Sequence, residues 1–236
     1  MFSPAFFVRC PNCNAKHEHR NLWSFNDFWS EECSDGFITC LGKDSIQKCS
    51  ICNFIIENTD DLKNLGEVEV IKIFKPQTFW QKLFRCRKDW TIEKPEAAPS
   101  LNYLNLNDWA RATKEGYLSE STKRYCERKL MWEFNQIRRR DLDISEQDKL
   151  DAMELAKFVA EIEDKYLEKA EFDYSDGLQL LAADIYRRRS KFDSALNCLN
   201  RISSNEYTKK LMCMKKWINE GKTDLGIYPA KYDWNT

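Results

Sequence analysis

Cys10-Pro11-Asn12-Cys13 and Cys49-Ser50-Ile51-Cys52 are the two stretches of this 236-residue chain best suited to chemistry. Each Cys-x-x-Cys loop delivers two thiolates from one tight turn, and 35 residues, 14 to 48, separate the loops. Four thiolates presented this way close a tetrahedral shell around zinc and leave no open position for a substrate. The spacing predicts one structural zinc ion, held by Cys10, Cys13, Cys49 and Cys52 in a small zinc ribbon. A thiol pair that cycles between dithiol and disulfide is the competing use of the same residues.

Both histidines of the chain, His17 and His19, lie in the insert between the loops, together with Cys33 and Cys40. These four could hold a second, interleaved metal. Their separations of one, thirteen and six residues match no knuckle. The preferred reading is a surface His-Glu-His and two small core cysteines. Cys86, Cys126, Cys198 and Cys213 are scattered and read as packing residues. There is no HExxH, and no HxE followed by PCxxC, so a catalytic zinc is disfavoured. With Gly at 7 and Pro at 6, and no GxGxxG, GxxxxGK[ST] or GxSxG, nucleotide enzymes of the common kinds are disfavoured. The chain reads as non-enzymatic.

The elements that must position these residues follow from the apolar pattern. Phe6, Phe7 and Val8 lead into the first loop, and Phe54, Ile55 and Ile56 leave the second, as short strands beside each knuckle. The insert carries Trp23, Phe25, Phe28, Trp29 and Phe37, with a turn at Ser34-Asp35-Gly36. Val68, Val70, Ile71, Ile73 and Phe74 predict one strand, ended by Pro76. Phe79, Trp80, Leu83 and Phe84 are at helical spacing, and the stretch from Glu93 to Ser100 is the best linker in the chain.

From about residue 105 the period becomes helical. Five stripes follow: Cys126/Leu130/Phe134/Ile137 after a Ser119 cap, then Leu155/Val159/Ile162/Tyr166 after Ser145 with Asp148 three residues on. Leu178/Leu181/Ile185 comes third, Phe192/Ala195/Leu196/Leu199/Ile202 fourth, and Tyr207/Leu211/Met214/Ile218 fifth. Tyr186-x3-Ser190-x-Phe192-x2-Ala195-x3-Leu199 has the spacing of one tetratricopeptide helix pair, and a 34-residue shift does not repeat it. The expected fold class is α+β: a small N-terminal zinc ribbon of short β-strands, then an all-α, TPR-like helical hairpin domain. The expected boundaries are 1–75 for the ribbon with its aromatic insert, 76–104 for a connector, 105–225 for the helices and 226–236 for a tail.

Charge narrows the partners. Lys and Arg total 37 against 38 Asp and Glu, and both halves are balanced: 13 against 14 in residues 1–100, and 24 against 24 in 101–236. That disfavours a whole-chain grip on nucleic acid, so another protein is the expected partner. Two basic runs, Arg138–Arg140 and Arg187–Arg189, could meet phosphates, but read better as solvated cations complementing helix C-termini. The aromatic insert could stack bases, but Asp27, Glu31, Glu32 and Asp35 beside it would repel a phosphate backbone. Residues 79–88 could lie on a membrane surface, but are short and mid-chain, and read better as packing. The start lacks a basic region before its apolar run, and no stretch of about 18 apolar residues exists. Cysteine loops without such a signal fit a reducing compartment, and the expected location is the cytoplasm.

Taken together, Cys10–Cys13, Phe28-Trp29-Ser30, Ser34-Asp35-Gly36, Lys48–Cys52, Arg128-x3-Trp132-x2-Asn135-x2-Arg138 and Tyr186 to Leu199 carry a resemblance over most of the chain. The chain resembles an uncharacterised group of bacterial zinc-ribbon proteins with a tetratricopeptide-like helical tail. It departs from that pattern where Glu31, Glu32 and Cys33 separate Trp29-Ser30 from Ser34-Asp35-Gly36. The resemblance implies a bacterial, non-enzymatic protein: an adaptor or regulatory accessory subunit is the expected role, with no known activity attached.

Overall fold

The computed structural model describes residues 5–19, 31–32, 38–39, 46–67, 71–74, 90–93, 98–139, 145–226 and 228. The insert's aromatic residues and turn, Cys33, Cys40, Cys86, the 79–84 apolar segment, the side chains of Arg138 to Arg140, and the end of the tail lie outside what is described. The architecture is α+β. Short antiparallel strands precede six helices among the described residues. The chain forms two compact units, one from residues 1–25 and 42–104, the other from 26–41 and 105–236.

In the first unit each Cys-x-x-Cys loop is the tip of a hairpin. Strand β1 (Phe6–Arg9) pairs with β2 (Lys16–His19), closing at Arg9↔Lys16. Further along, β5 (Gln47–Lys48) pairs with β6 (Ile55–Ile56), closing at Lys48↔Ile55. The chain at 99–102 joins the two hairpins. Ser100 bridges Glu18 in parallel, Asn102 bridges Lys48 antiparallel, and Lys48 and Asn102 exchange hydrogen bonds of 2.8 and 2.9 Å. Leu101 completes a core with Phe6, Val8 and Ile56. The C-terminal end of the expected linker is therefore built into the ribbon. Its Pro99 carbonyl accepts from the Glu18 N–H at 3.0 Å, a pairing that proline permits because only its carbonyl is used.

Strands β3 (Glu31–Glu32) and β4 (Ile38–Thr39) form a small hairpin in the insert. Strand β7 (Ile71–Phe74) falls where the sequence places one, but its partner β8 (Trp90–Glu93) was not expected.

The second unit stacks α1 (Leu106–Ala112), α2 (Glu120–Arg139), α3 (Glu146–Phe172), α4 (Asp176–Arg188), α5 (Phe192–Asn200) and α6 (Thr208–Asn219). Ser119 and Ser145 accept from the N–H groups of Thr122 and Asp148, so both expected caps are present. The α4–α5 pair is the most extensively packed. Ala195 at its interface is fully buried, as the spacing required. The turn between them is a Schellman motif. Ser190 adopts φ 58°, its N–H reaches the Arg187 carbonyl, and the Lys191 N–H reaches that of Tyr186.

The third stripe needs correction. Leu178 and Leu181 are only half-buried, while Gln179, Leu180, Ala182, Ala183, Asp184 and Arg187 are buried alongside Ile185. Helix α4 is covered on several faces, so it has no single apolar stripe. The reading of Arg187–Arg189 as solvated cations also fails. Arg187 and Arg188 both pair with Asp184 at 2.8 Å, and Arg188 continues to Glu163 at 2.8 Å. Arg189 adds Glu163 at 2.9 Å and Asp164. Asp184 and Arg187 have no exposed side-chain surface. A buried guanidinium must be paired, and this network supplies the carboxylates.

Candidate metal centre

The two knuckles have the same local build. In the first, Asn14 sits at φ 61°, its N–H meets the Cys10 carbonyl, and the Cys10 N–H meets Ala15. In the second, Asn53 sits at φ 58°, its N–H meets the Cys49 carbonyl, and the Cys49 N–H meets Phe54. Asparagine tolerates this left-handed conformation better than most residues, so Cys-x-x-Cys-Asn is the working unit. That repeated asparagine was legible in the sequence and was not read from it. In the second knuckle the N–H groups of Ile51 and Cys52 both point at Cys49 Sγ, at 3.4 Å each.

The four sulfurs of Cys10, Cys13, Cys49 and Cys52 lie within 4.8 Å of one another. Across the knuckles, Cys10 to Cys52 and Cys13 to Cys49 are each 3.7 Å apart. That is far beyond a disulfide bond, and all four thiols are free. A tetrahedron with its centre about 2.3 Å from each vertex, the zinc–sulfur length, has edges of about 3.8 Å. The donor set and its spacing fit one tetrahedral ion, and the four cysteines are positioned to coordinate it. Such an ion would cross-link the two hairpins and leave no position for substrate.

The electrostatics of the free thiols set the cost of loading. Burial pushes Cys10 up to about 12, against backbone hydrogen bonds from Cys13 and Asn12. Cys13 is also raised: the Ala15 backbone favours its thiolate, but burial and the Cys52 and Cys49 sulfurs outweigh that. At Cys52 burial is overcome by the Asn12 amide, which donates at 3.6 Å, and by the Phe54 N–H, so the thiol falls to about 6. Between about pH 6 and 9, loading must therefore expel at least the protons of Cys10 and Cys13. Protons compete with the metal, so affinity is expected to fall at least about 100-fold per unit of pH lowered across that window. Chelator competition at pH 6.5, 7.5 and 8.5 measures this, and a pH-independent affinity would refute a thiolate shell.

His17 corrects the reading of a surface His-Glu-His. His17, Glu18 and His19 are all buried. His19 stacks edge-on against Phe6 at 5.3 Å. His17 has no exposed surface, and its Nε2 lies 3.2 Å from Cys49 Sγ. On the other side its Nδ1 lies 3.2 Å from the Pro99 carbonyl and 3.4 Å from Ser50 Oγ. Burial pulls the imidazole below its usual value, partly offset by the Pro99 and Ser100 backbone. Neither histidine belongs to a cluster of potential ligands among the described residues.

Fold and site together define an α+β protein with four cysteines positioned to coordinate one metal ion. No protein-family model, no curated protein and no solved structure matches the chain.

Proposed function

We propose that this chain is a non-enzymatic, zinc-binding protein–protein interaction protein, an adaptor or regulatory accessory subunit of the bacterial cytoplasm. The tetrahedral edge length of 3.7 Å supports zinc, since an all-sulfur tetrahedron suits that ion and a closed shell suits a structural role. The observation that carries the interaction role is a cleft of about 410 Å³ between α3, α4 and α5, with Leu167 and Phe172 on one wall and Asn197 and Arg201 on the other. Phe172 is 84% exposed at this cleft, and Tyr174 nearby stacks under the Arg201 guanidinium at 5.1 Å. Exposed aromatics beside an arginine make a surface suited to anchoring a partner's side chain. Nucleic-acid binding is less favoured because the Arg187–Arg189 run is spent on internal carboxylates. No helix among the described residues is long and apolar enough to cross a membrane.

The test is purification from the native host with elemental analysis, identification of a stoichiometric co-eluting protein, and reconstitution from the two pure components. One zinc per chain is expected. Phe172→Ala is expected to weaken the reconstituted pair about 30-fold, as an interface anchor does, without changing thermal stability. Equal affinity in wild type and variant would remove the cleft from the interface. Salt-dependent binding to DNA or RNA, lost on neutralising Arg138 to Arg140, would replace the reading with a nucleic-acid module.

A further inference from the structure

We infer that His17 is a positioning residue for the metal centre: its Nε2–H holds the Cys49 sulfur from outside the shell, and the Ser50 hydroxyl steadies its other edge. The inference rests on the metal reading above.

The geometry distinguishes this from a fifth ligand. Nε2 is 3.2 Å from Cys49 Sγ, yet the set of mutually close ligand atoms contains only the four sulfurs. Once Cys49 binds a metal it is a thiolate and can only accept, so the atom facing it must be a donor. In that state Nε2 carries the ring proton, and the Ser50 hydroxyl at 3.4 Å can donate to Nδ1. Cys49 then receives three N–H groups, from Ile51, Cys52 and His17. Each withdraws electron density from a sulfur that otherwise adds a full charge to a closed, doubly anionic shell.

The placement also reaches beyond the shell. His17 lies on β2, one residue before Glu18, whose N–H binds the Pro99 carbonyl. The same carbonyl lies 3.2 Å from His17 Nδ1, as a packing neighbour and not a hydrogen-bond partner in the Nε2–H form, since both atoms are acceptors. The histidine thus stands between the second knuckle and the segment that zips the two hairpins together. Loss of the ring contact should loosen Cys49 and the Lys48–Asn102 pair together.

Long-range ¹H–¹⁵N correlation of the imidazole in zinc-loaded wild-type protein tests the contact without a substitution. A proton on Nε2 is expected, and a bare Nε2 overturns the inference. His17→Phe keeps an aromatic ring and removes the donor. Its zinc affinity by chelator competition is expected to fall about 10–100-fold. In the cobalt-loaded form its thiolate charge-transfer band is expected at longer wavelength, because the unshielded sulfur is the better electron donor. His17→Gln, with an amide N–H, is expected to recover part of both. Unchanged affinity and spectrum in His17→Phe would make His17 a packing residue. Should that variant not fold, the wild-type spectrum still decides. If wild-type protein binds no metal, the metal reading fails. If it binds metal with a bare Nε2, only this inference fails.

Discussion

Cys49→Ser is expected to leave the chain without bound metal and with the first unit, residues 1–25 and 42–104, unfolded, while the six helices described stay folded. Serine keeps the side chain's size but is a poor ligand for a soft tetrahedral site. Cys49 is also the best-supported of the four sulfurs, so its loss removes one vertex and the anchor of a knuckle. The first unit has little to fall back on. Its described core is split into small clusters, Phe6, Val8, Ile56 and Leu101 in one and Ala5 and Phe7 in another, and its strands are two to four residues long. A unit of that kind depends on its cross-link, and structural zinc supplies about 10–16 kcal/mol of apparent binding free energy to comparable domains near neutral pH. Metal content should drop from one ion per chain to none. The helical signal at 222 nm should persist and melt at an unchanged temperature, because those helices belong to the other unit. A variant that kept full metal stoichiometry and stability would show that the four-cysteine assignment is wrong.

The largest effect expected in the helical unit comes from Asp184→Asn. Asp184 is fully buried and accepts from both Arg187 and Arg188. The amide is nearly isosteric but carries no charge, so two guanidinium groups lose their shared counter-ion. Removing one partner of a buried pair costs about 3–5 kcal/mol, because the remaining charge has no access to water. For a unit of this size that corresponds to a Tm lower by about 10–20 °C.

The pH dependence has a defined sign. Burial alone would raise the Asp184 carboxyl, but Arg188 and Arg187 overcome it and hold it below the usual value. A carboxyl with a depressed folded-state value stabilises the fold above its unfolded value near pH 4. That contribution disappears as pH falls through the folded value. Wild-type Tm should therefore be flat near neutrality and fall in acid, and Asp184→Asn should lack this component of the fall. A Tm change below about 3 °C at pH 7 would reduce the network to the worth of a surface ion pair.

The four-cysteine cluster was legible in the sequence because residue type and spacing are local properties. Two Cys-x-x-Cys loops need only a tight turn each, and both turns formed. Helix caps at Ser119 and Ser145 were legible for the same reason, each depending on a residue three positions away. What the sequence hid depends on residues far apart in the chain. Nothing near His17 announces Cys49, which is 32 residues on, or Pro99, which is 82. The burial of the Arg187–Arg189 run was hidden because Glu163 lies on another helix, 25 positions before Arg188, although the nearer partner Asp184 was legible at three- and four-residue spacing. The strand Trp90–Glu93 was missed because only Trp90 and Ile92 alternate in it, whereas Val68 to Phe74 offered a longer apolar run for its partner.

The segment at 99–102 has a consequence for biosynthesis. All four ligand cysteines have been made by residue 52, but Pro99 is added 47 residues later. At about 5–20 residues per second, the nascent chain carries a complete set of thiols for roughly 2–9 s before the closing segment exists. Through that interval the hairpins have only the contacts of Phe6, Val8 and Ile56 and any bound ion to hold them together, and His17 lacks the carbonyl it later faces. On the metal-binding reading proposed above, the thiols are available to an ion before the strand that locks the site is made, and a cell short of the ion is expected to release chains whose thiols are accessible to oxidants.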